Sequence, residues 1–137
     1  MIDHGAMWKL WLTTCALFFA VATPSWALDG RLKAGLLKLD PDTRLEQRCD
    51  AEALDRIARD DDNPYRPDRV VAYVFKTPQM NGDTIESPGA AFRANGRWYH
   101  LAYSCSTAHD RMQVLSFHYK IGDPIAQDDW SKYNLWQ

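Results

Sequence analysis

Apolar residues recur with helical spacing between positions 40 and 59. At about 100° per residue, the apolar side chains of this segment share one helix face of roughly 140°; they are Cys49, Ala53, Leu54 and Ile57. The charged side chains lie opposite and form i,i+4 pairs of opposite charge: Arg48–Glu52, Glu52–Arg56 and Asp55–Arg59. The pattern therefore predicts an amphipathic helix that packs on a core and points Cys49 inward.

Two capping patterns compete for the start of this helix. Asp40-Pro41 fits an N-cap followed by proline at the first helical position. Residues 43–46 form a capping box slightly later, so both starts stay open. The helix ends in the acidic segment before Pro64, because acidic side chains oppose the helix dipole there and proline cannot continue a helix. Upstream, spaced leucines indicate a short helix or turn over residues 30–39.

After Pro67 the period of apolar positions changes to two, which predicts strands over residues 69–76, 84–93, 97–105 and 112–121. Pro88-Gly89 interrupts the second strand as a bulge or bend. Asn81-Gly82 and Asn95-Gly96 are hairpin turn signals. A type I′ turn at the second signal pairs three sets of residues: Ala94 with Arg97, Phe92 with Tyr99 and Ala90 with Leu101.

Alternation along the later strands assigns one face to the core. The inward residues of the third and fourth strands are the more apolar ones: Tyr99, Leu101, Tyr103, Cys105, Leu115, Phe117, Tyr119 and Ile121. Asp123-Pro124 opens a short final helix whose aromatic residues Trp130, Tyr133 and Trp136 seal one edge of the core. The predicted fold class is α+β, with an N-terminal helix packed on a four-stranded antiparallel meander and a short C-terminal helix.

The first 27 residues have the order of an export leader. Lys9 precedes the apolar run 10–22, and Pro24 and the small-residue site at 25–27 follow. The run is shorter than the roughly 20 residues of a membrane-spanning helix. We therefore expect a cleaved signal peptide over residues 1–27 and one domain over 28–137, with no membrane span after leader removal. Cleavage after Ala22 and a true start at Met7 stay open.

Leader removal takes Cys15 away and leaves Cys49 and Cys105. Two cysteines in an exported protein favour a disulfide bond, and both periodicities point these two inward. Closing that loop contributes roughly 4 kcal/mol in the chain-entropy description.

Composition narrows the function classes. The net charge of −2 over 137 residues offers no field for a polyanion, so nucleic acid is not an expected partner. The sequence has no nucleophile elbow, phosphate loop, zinc-protease motif or dinucleotide fingerprint. We therefore predict no catalytic residue, no cofactor and no metal ligand.

Two groups of residues are candidate contacts for a partner. Tyr65, Arg66 and Arg69 precede or begin a strand, and arginine and tyrosine are favoured interface anchors. Trp98, His100 and His118 lie on the outer sheet face. If Cys105 paired with Arg111, Trp98 would face His118, and His100 would lie within about 8 Å of it. That cluster would suit a metal or planar ligand, although polar side chains on a half-exposed face are the favoured interpretation.

Several segments resemble a known family. They are LDPDTRLEQRCD at 39–50, YRPDRVVAY at 65–73, GAAFR at 89–93, RWY at 97–99 and SFHYKIG at 116–122, with Trp130 after them. The chain is similar over about residues 35–135 to the bacterial exported proteins of domain of unknown function 930. The resemblance implies a shared fold and an envelope location, and it carries no activity.

Two functions remain as hypotheses. The first is a periplasmic or secreted non-catalytic binding module for a protein or an envelope component, of open oligomeric state. The second is a small-ligand or enzymatic pocket between helix and sheet, lined by Tyr73, Tyr99, Tyr103 and Tyr119. A filled core would oppose the second hypothesis, and a cavity of a few hundred cubic ångströms would support it.

Overall fold

The computed structural model describes residues 29–137, and the predicted leader over residues 1–27 lies outside the described residues. Two helices precede an antiparallel sheet: α1 (Gly30–Leu37), α2 (Pro41–Arg59), β1 (Pro67–Val71), β2 (Gln79–Asn81), β3 (Thr84–Ala94), β4 (Arg97–Thr107) and β5 (Val114–Pro124). Two 3-10 turns, Gln127–Asp129 and Ser131–Tyr133, follow. The α+β class is confirmed, with 3-10 turns in place of the short C-terminal helix.

Helix α2 begins at the earlier of its two predicted starts. The Asp40 carboxylate accepts the Thr43 backbone N–H at 3.1 Å, and Pro41 occupies the first turn. The helix ends at Arg59, before the acidic segment. Three residues of its predicted apolar face, Cys49, Ala53 and Ile57, have no exposed surface, and the fourth, Leu54, is partly buried against the same core. The prediction that Arg48 lies on the exposed face is wrong. Arg48 is buried, and its Nε–H donates to the Met112 carbonyl at 2.9 Å.

The sheet follows the predicted meander order. Its strands lie in the order β1–β3–β4–β5, and the short β2 pairs with the first part of β3. Asn95 and Gly96 both have positive φ, 53° and 73°, as a type I′ turn requires. The three predicted residue pairs across this turn are all present. Strand β2 adds a fifth, three-residue strand to the four predicted, because the Asn81-Gly82 signal closes a hairpin.

Strand β1 is shorter than predicted, ending at Val71 instead of residue 76. The cause lies in its partner β3, whose register shifts between Ser87 and Ala90 at the predicted Pro88-Gly89 interruption. The chain after Val71 turns, and the Phe75 N–H donates to the Gly89 carbonyl at 2.8 Å. A Cβ on Gly89 would lie 2.4 Å from the Lys76 nitrogen, so this approach requires glycine.

Strand β5 differs from its prediction in register. The register shifts where Ser106 pairs with Ser116 but Thr107 pairs with Val114, which leaves Leu115 unpaired. Leu115 is 63 % exposed instead of inward, and Val114 packs against the core in its place. Phe117 is buried as predicted.

The main core lies between α2 and the inner sheet face. A disulfide bond joins Cys49 of α2 to Cys105 of β4 across this core, with 6.1 Å between the Cα atoms. The predicted disulfide is therefore confirmed. Tyr65, Phe92 and Tyr99 extend the core at one end, with ring centroids 4.6 to 5.4 Å apart.

The C-terminal segment covers the outer sheet face. Trp98 was predicted on a half-exposed face, but it is fully buried beneath Ile125, Trp130 and Leu135. Its indole N–H donates to the Trp136 carbonyl at 2.7 Å. Trp130 thus seals a second apolar cluster on the outer face, whereas Trp136 remains 48 % exposed. The molecule has three layers: helices, sheet and C-terminal cover.

We expect reduction of Cys49–Cys105 to lower the melting temperature by roughly 10 °C or more, because the bond restricts the unfolded chain across a separation of 56 residues. Thermal melts with and without reductant measure this shift. The Cys49→Ala/Cys105→Ala double variant is the control, since its melting must not respond to reductant. Equal melting temperatures for the oxidised and reduced protein would contradict the expectation.

Candidate functional site

The predicted contact residues do not form one surface. Tyr65 is half-buried and packs on Phe92 and Tyr99. The Arg66 guanidinium donates to two backbone carbonyls, those of Ala58 and Tyr65. These two residues therefore hold the loop that enters β1.

Arg69 and the two outer-face histidines are also separated from one another. The Arg69 guanidinium lies 4.6 Å from the Trp136 ring centroid, beside the cover on Trp98. His100 is exposed and stacks on Phe75 at 4.4 Å. His118 pairs with Ser104, four positions along β4 from His100, which separates the two histidines by about 13 Å.

The hypothesis of a histidine cluster is wrong, because it assumed a different register between β4 and β5. Cys105 pairs with Phe117 instead of Arg111, so His118 does not face Trp98. Over residues 29–137, no group of three His, Cys, Asp or Glu side chains is placed to hold a metal ion.

The interior between α2 and the sheet is filled by core side chains, and two of the predicted pocket tyrosines there, Tyr103 and Tyr119, have protein partners for their hydroxyls. The Tyr103 hydroxyl donates to an Asp50 carboxylate oxygen at 2.7 Å. The Tyr119 hydroxyl donates to Asp60, and burial raises the pKa of Tyr119 to about 12. Tyr73, a third predicted pocket residue, is 61 % exposed.

A surface groove of about 610 Å³ lies between the helices and β1. We call it the Asp50 groove. The wall formed by the two helices and the link between them is mainly aliphatic: Leu32, Leu36, Leu39, Ala51 and Leu54. Its other wall is Asp68, Arg69, Val70, Val71 and Tyr73 of β1 and the following turn. Arg31, Gly35 and Gln47 complete the lining, and Asp50 is its buried acid.

Asp50 is 7 % exposed, and its second carboxylate oxygen has no hydrogen-bond partner among residues 29–137. Burial raises the pKa of Asp50 to about 7, opposed by the hydrogen bond from Tyr103 and reinforced by the negative charge of Glu46. Burial also raises the pKa of Glu46. Burial and the neighbouring Asp50 charge raise the pKa of Tyr103, so this phenol stays protonated as the donor. A buried carboxyl with one free oxygen therefore borders the groove.

A second groove, of about 1220 Å³, lies on the opposite side of α2. Its charged side chains largely neutralise one another. Glu52 accepts hydrogen bonds from Arg48 at 3.1 Å and from Arg56 at 2.9 Å, and Arg59 pairs with Asp55. These are the three ion pairs predicted from helical spacing. We therefore take the Asp50 groove, with its unpaired carboxylate oxygen, as the candidate site.

Asp50 was missed as a site residue, although a signal for it existed. At 100° per residue, position 50 falls between Ile57 and Leu54, inside the predicted apolar arc. An acid on a core-facing helix arc is a buried polar group that needs a partner. That partner, Tyr103, is one of the tyrosines predicted to face inward.

Residues 36–135 match the family model described as Domain of Unknown Function (DUF930). The chain belongs to this family. No curated protein and no solved structure matches it. The DUF930 match includes both disulfide cysteines, Asp50 and the strand wall of the groove, whereas Arg31 and Leu32 precede it. Within residues 29–137, the DUF930 chain has no helix that is both long and apolar enough to cross a membrane.

We expect the Asp50→Asn variant to remove one source of pH-dependent stability. The unfolded chain releases the Asp50 proton near pH 3.8 and the folded chain near 7. Between these values the folded state binds more protons, so its stability falls as pH rises, by at most about 1.4 kcal/mol per pH unit. Asparagine keeps an acceptor for the Tyr103 hydroxyl and never ionises, so the variant gains stability relative to the natural protein over this window.

Urea unfolding at several pH values between about 4 and 8 measures this difference. Asp123→Asn, which removes an exposed carboxyl on β5, is the matched control. Parallel stability curves for Asp50→Asn and the natural protein would show that Asp50 does not titrate in this range.

Proposed function

We propose that this DUF930 domain is a periplasmic or secreted, non-catalytic binding module for a protein or an envelope component. The observation that carries the proposal is the Asp50 groove, in which an aliphatic wall and a buried carboxyl with a free oxygen lie side by side. Apolar surface supplies affinity, and a few placed polar groups supply orientation and specificity. Among the described residues that line the groove, no serine, threonine, cysteine, lysine or histidine accompanies them.

The enclosed-pocket alternative has less support. It requires space between α2 and the sheet, but core side chains fill that region. It also requires tyrosine hydroxyls that are free to bind a ligand. Tyr103 and Tyr119 instead donate to Asp50 and Asp60. Binding at the open groove is therefore the better-supported function.

Of the contact residues predicted from sequence, Arg69 borders the groove, and we propose it as a contact. Tyr65 and Arg66 act in this proposal as supports for the loop that enters β1. Trp98 is too deeply buried to contact a partner without unfolding the cover. A contact role for the exposed His100 and His118 stays a prediction.

Export is proposed on two grounds. The sequence of residues 1–27 has the order of a cleaved leader, and disulfide bonds such as Cys49–Cys105 persist in oxidising compartments.

A photo-crosslinking amino acid at Tyr73 tests the binding function in the cells that make the protein. Tyr73 is 61 % exposed on the groove wall, and Leu115, the matched control position, is 63 % exposed on β5. We expect a discrete covalent adduct from position 73 and none of the same mass from position 115. Identical adduct patterns, or no adduct from position 73, would refute the groove as the binding surface.

Intact-mass measurement of the natural protein tests export separately. We expect a chain that begins at Thr23 or Leu28, with a mass two hydrogens below that of the dithiol. A retained leader and two free thiols would contradict the proposed compartment.

A further inference from the structure

Strand β1 has one unpaired side. It lies at the end of the strand order and pairs only with β3 within the described chain. Alternate backbone N–H and C=O groups of an edge strand point away from its neighbour, and they form a template for another strand. Within residues 29–137, the backbone of residues 68–71 makes no hydrogen bond beyond the sheet.

This unpaired side faces the Asp50 groove. Four consecutive residues, 68–71, line the groove. Successive side chains of a strand point to opposite faces, and here Val70 packs in the inner core while Val71 packs in the outer cluster. One sheet face cannot present all four residues, so the groove runs along the edge of β1.

The opposite wall limits what can lie along that edge. Leu32 and Leu36 of α1 and Leu54 of α2 stand across the groove from β1. An occupant of the groove therefore contacts the β1 edge on one side and these leucines on the other, as a single extended chain does. The five residues of β1 span about 17 Å, the length of a short peptide strand.

The charges of the groove favour one class of side chain opposite Asp50. The free Asp50 oxygen can accept a hydrogen bond from an occupant of the groove, and a basic side chain supplies both a donor and the opposite charge. Asp68 is already engaged by Arg93 through two hydrogen bonds of 2.9 and 3.0 Å, and the Arg69 charge lies over Trp136. Arg31 adds positive charge to the lining, so we expect a basic residue only opposite Asp50.

We propose that the Asp50 groove binds an extended segment of a partner protein, which adds as a strand to β1. One basic side chain of the segment reaches Asp50, and aliphatic side chains two positions before and after it contact the leucine wall. The proposal rests on the binding function proposed above and names its ligand class. Backbone pairing supplies affinity and alternate side chains supply specificity, as in other strand-addition complexes. A lipid or a free amine would leave the β1 edge unpaired.

A pooled set of fluorescent heptapeptides tests the proposal on the oxidised protein at about pH 8, where the Asp50 carboxyl is ionised. Every member has a central lysine, with Leu, Ile, Val or Phe two positions before and after it and threonine elsewhere. We expect anisotropy to detect binding below about 1 mM. Hydrogen exchange is expected to slow at β1 amides of the complex.

Two changes to the peptide that binds most tightly test the lysine contact and the backbone pairing separately. Replacing its lysine by norleucine is expected to weaken binding about tenfold or more to the natural protein, with a much smaller effect on Asp50→Asn. Methylating its backbone nitrogens that face β1 is expected to abolish binding to both proteins. Asp123→Asn is the control protein and is expected to bind like the natural one.

Three results would overturn the proposal: no pool member binding below about 1 mM, binding that tolerates backbone methylation, or a lysine effect that is equal in the natural protein and in the Asp50→Asn variant. A Tyr73 adduct in cells without peptide binding would reject strand addition and leave the binding module standing. The absence of both would reject the two proposals together. Thermal melts of each variant verify that it is folded.

Discussion

The Cys49–Cys105 bond connects the middle of α2 to β4, and the neighbouring contacts depend on that attachment. Asp50 follows Cys49 on the helix, and Tyr103 lies two positions before Cys105 on the same strand face, so the hydrogen bond between them is a second link beside the first. One link is covalent and restricts the unfolded chain. The other brings a carboxyl into an apolar interior, where it must keep a donor. Together they hold α2 at a defined position over the sheet.

The C-terminal cover decides which parts of the sheet remain available. By burying Trp98 it gives the sheet apolar layers on both faces, and this removes the outer face around Trp98 as a flat contact surface. What remains accessible beside the helices is the edge of β1. The early end of β1, imposed by the Gly89 approach, turns the chain so that Tyr73 lies at the groove wall. The location of the candidate site therefore follows from the C-terminal cover and from the early end of β1, two features that the alternation of polar and apolar residues did not predict.

The candidate site shows how far single residues can be interpreted from sequence. Asp50 lay inside the apolar arc of a correctly predicted helix, and Tyr103 lay on a correctly assigned inward face, so two periodicities together held a signal for their contact that the sequence analysis did not use. The groove itself did not follow, because its walls come from α1, α2 and β1, whose mutual positions no local pattern encodes. The histidine pairing failed for a related reason. It depended on the register between β4 and β5, which the length of their connection sets: Thr107 already pairs with Val114, and the bulge at Leu115 adds a shift of only one residue.

The sequence by itself determined the end of α2 and limited its start to two alternatives. It also determined the Asn95-Gly96 hairpin with its register, the inward direction of the two cysteines and the α+β class. Each of these depends on interactions between residues close in the chain, or on burial of one face of one element. Only the tertiary structure decided the length of β1, the exposure of Leu115, the burial of Arg48 and Trp98, and the groove beside Asp50. These depend on contacts between distant segments, where packing and bulges override the local alternation of polar and apolar residues.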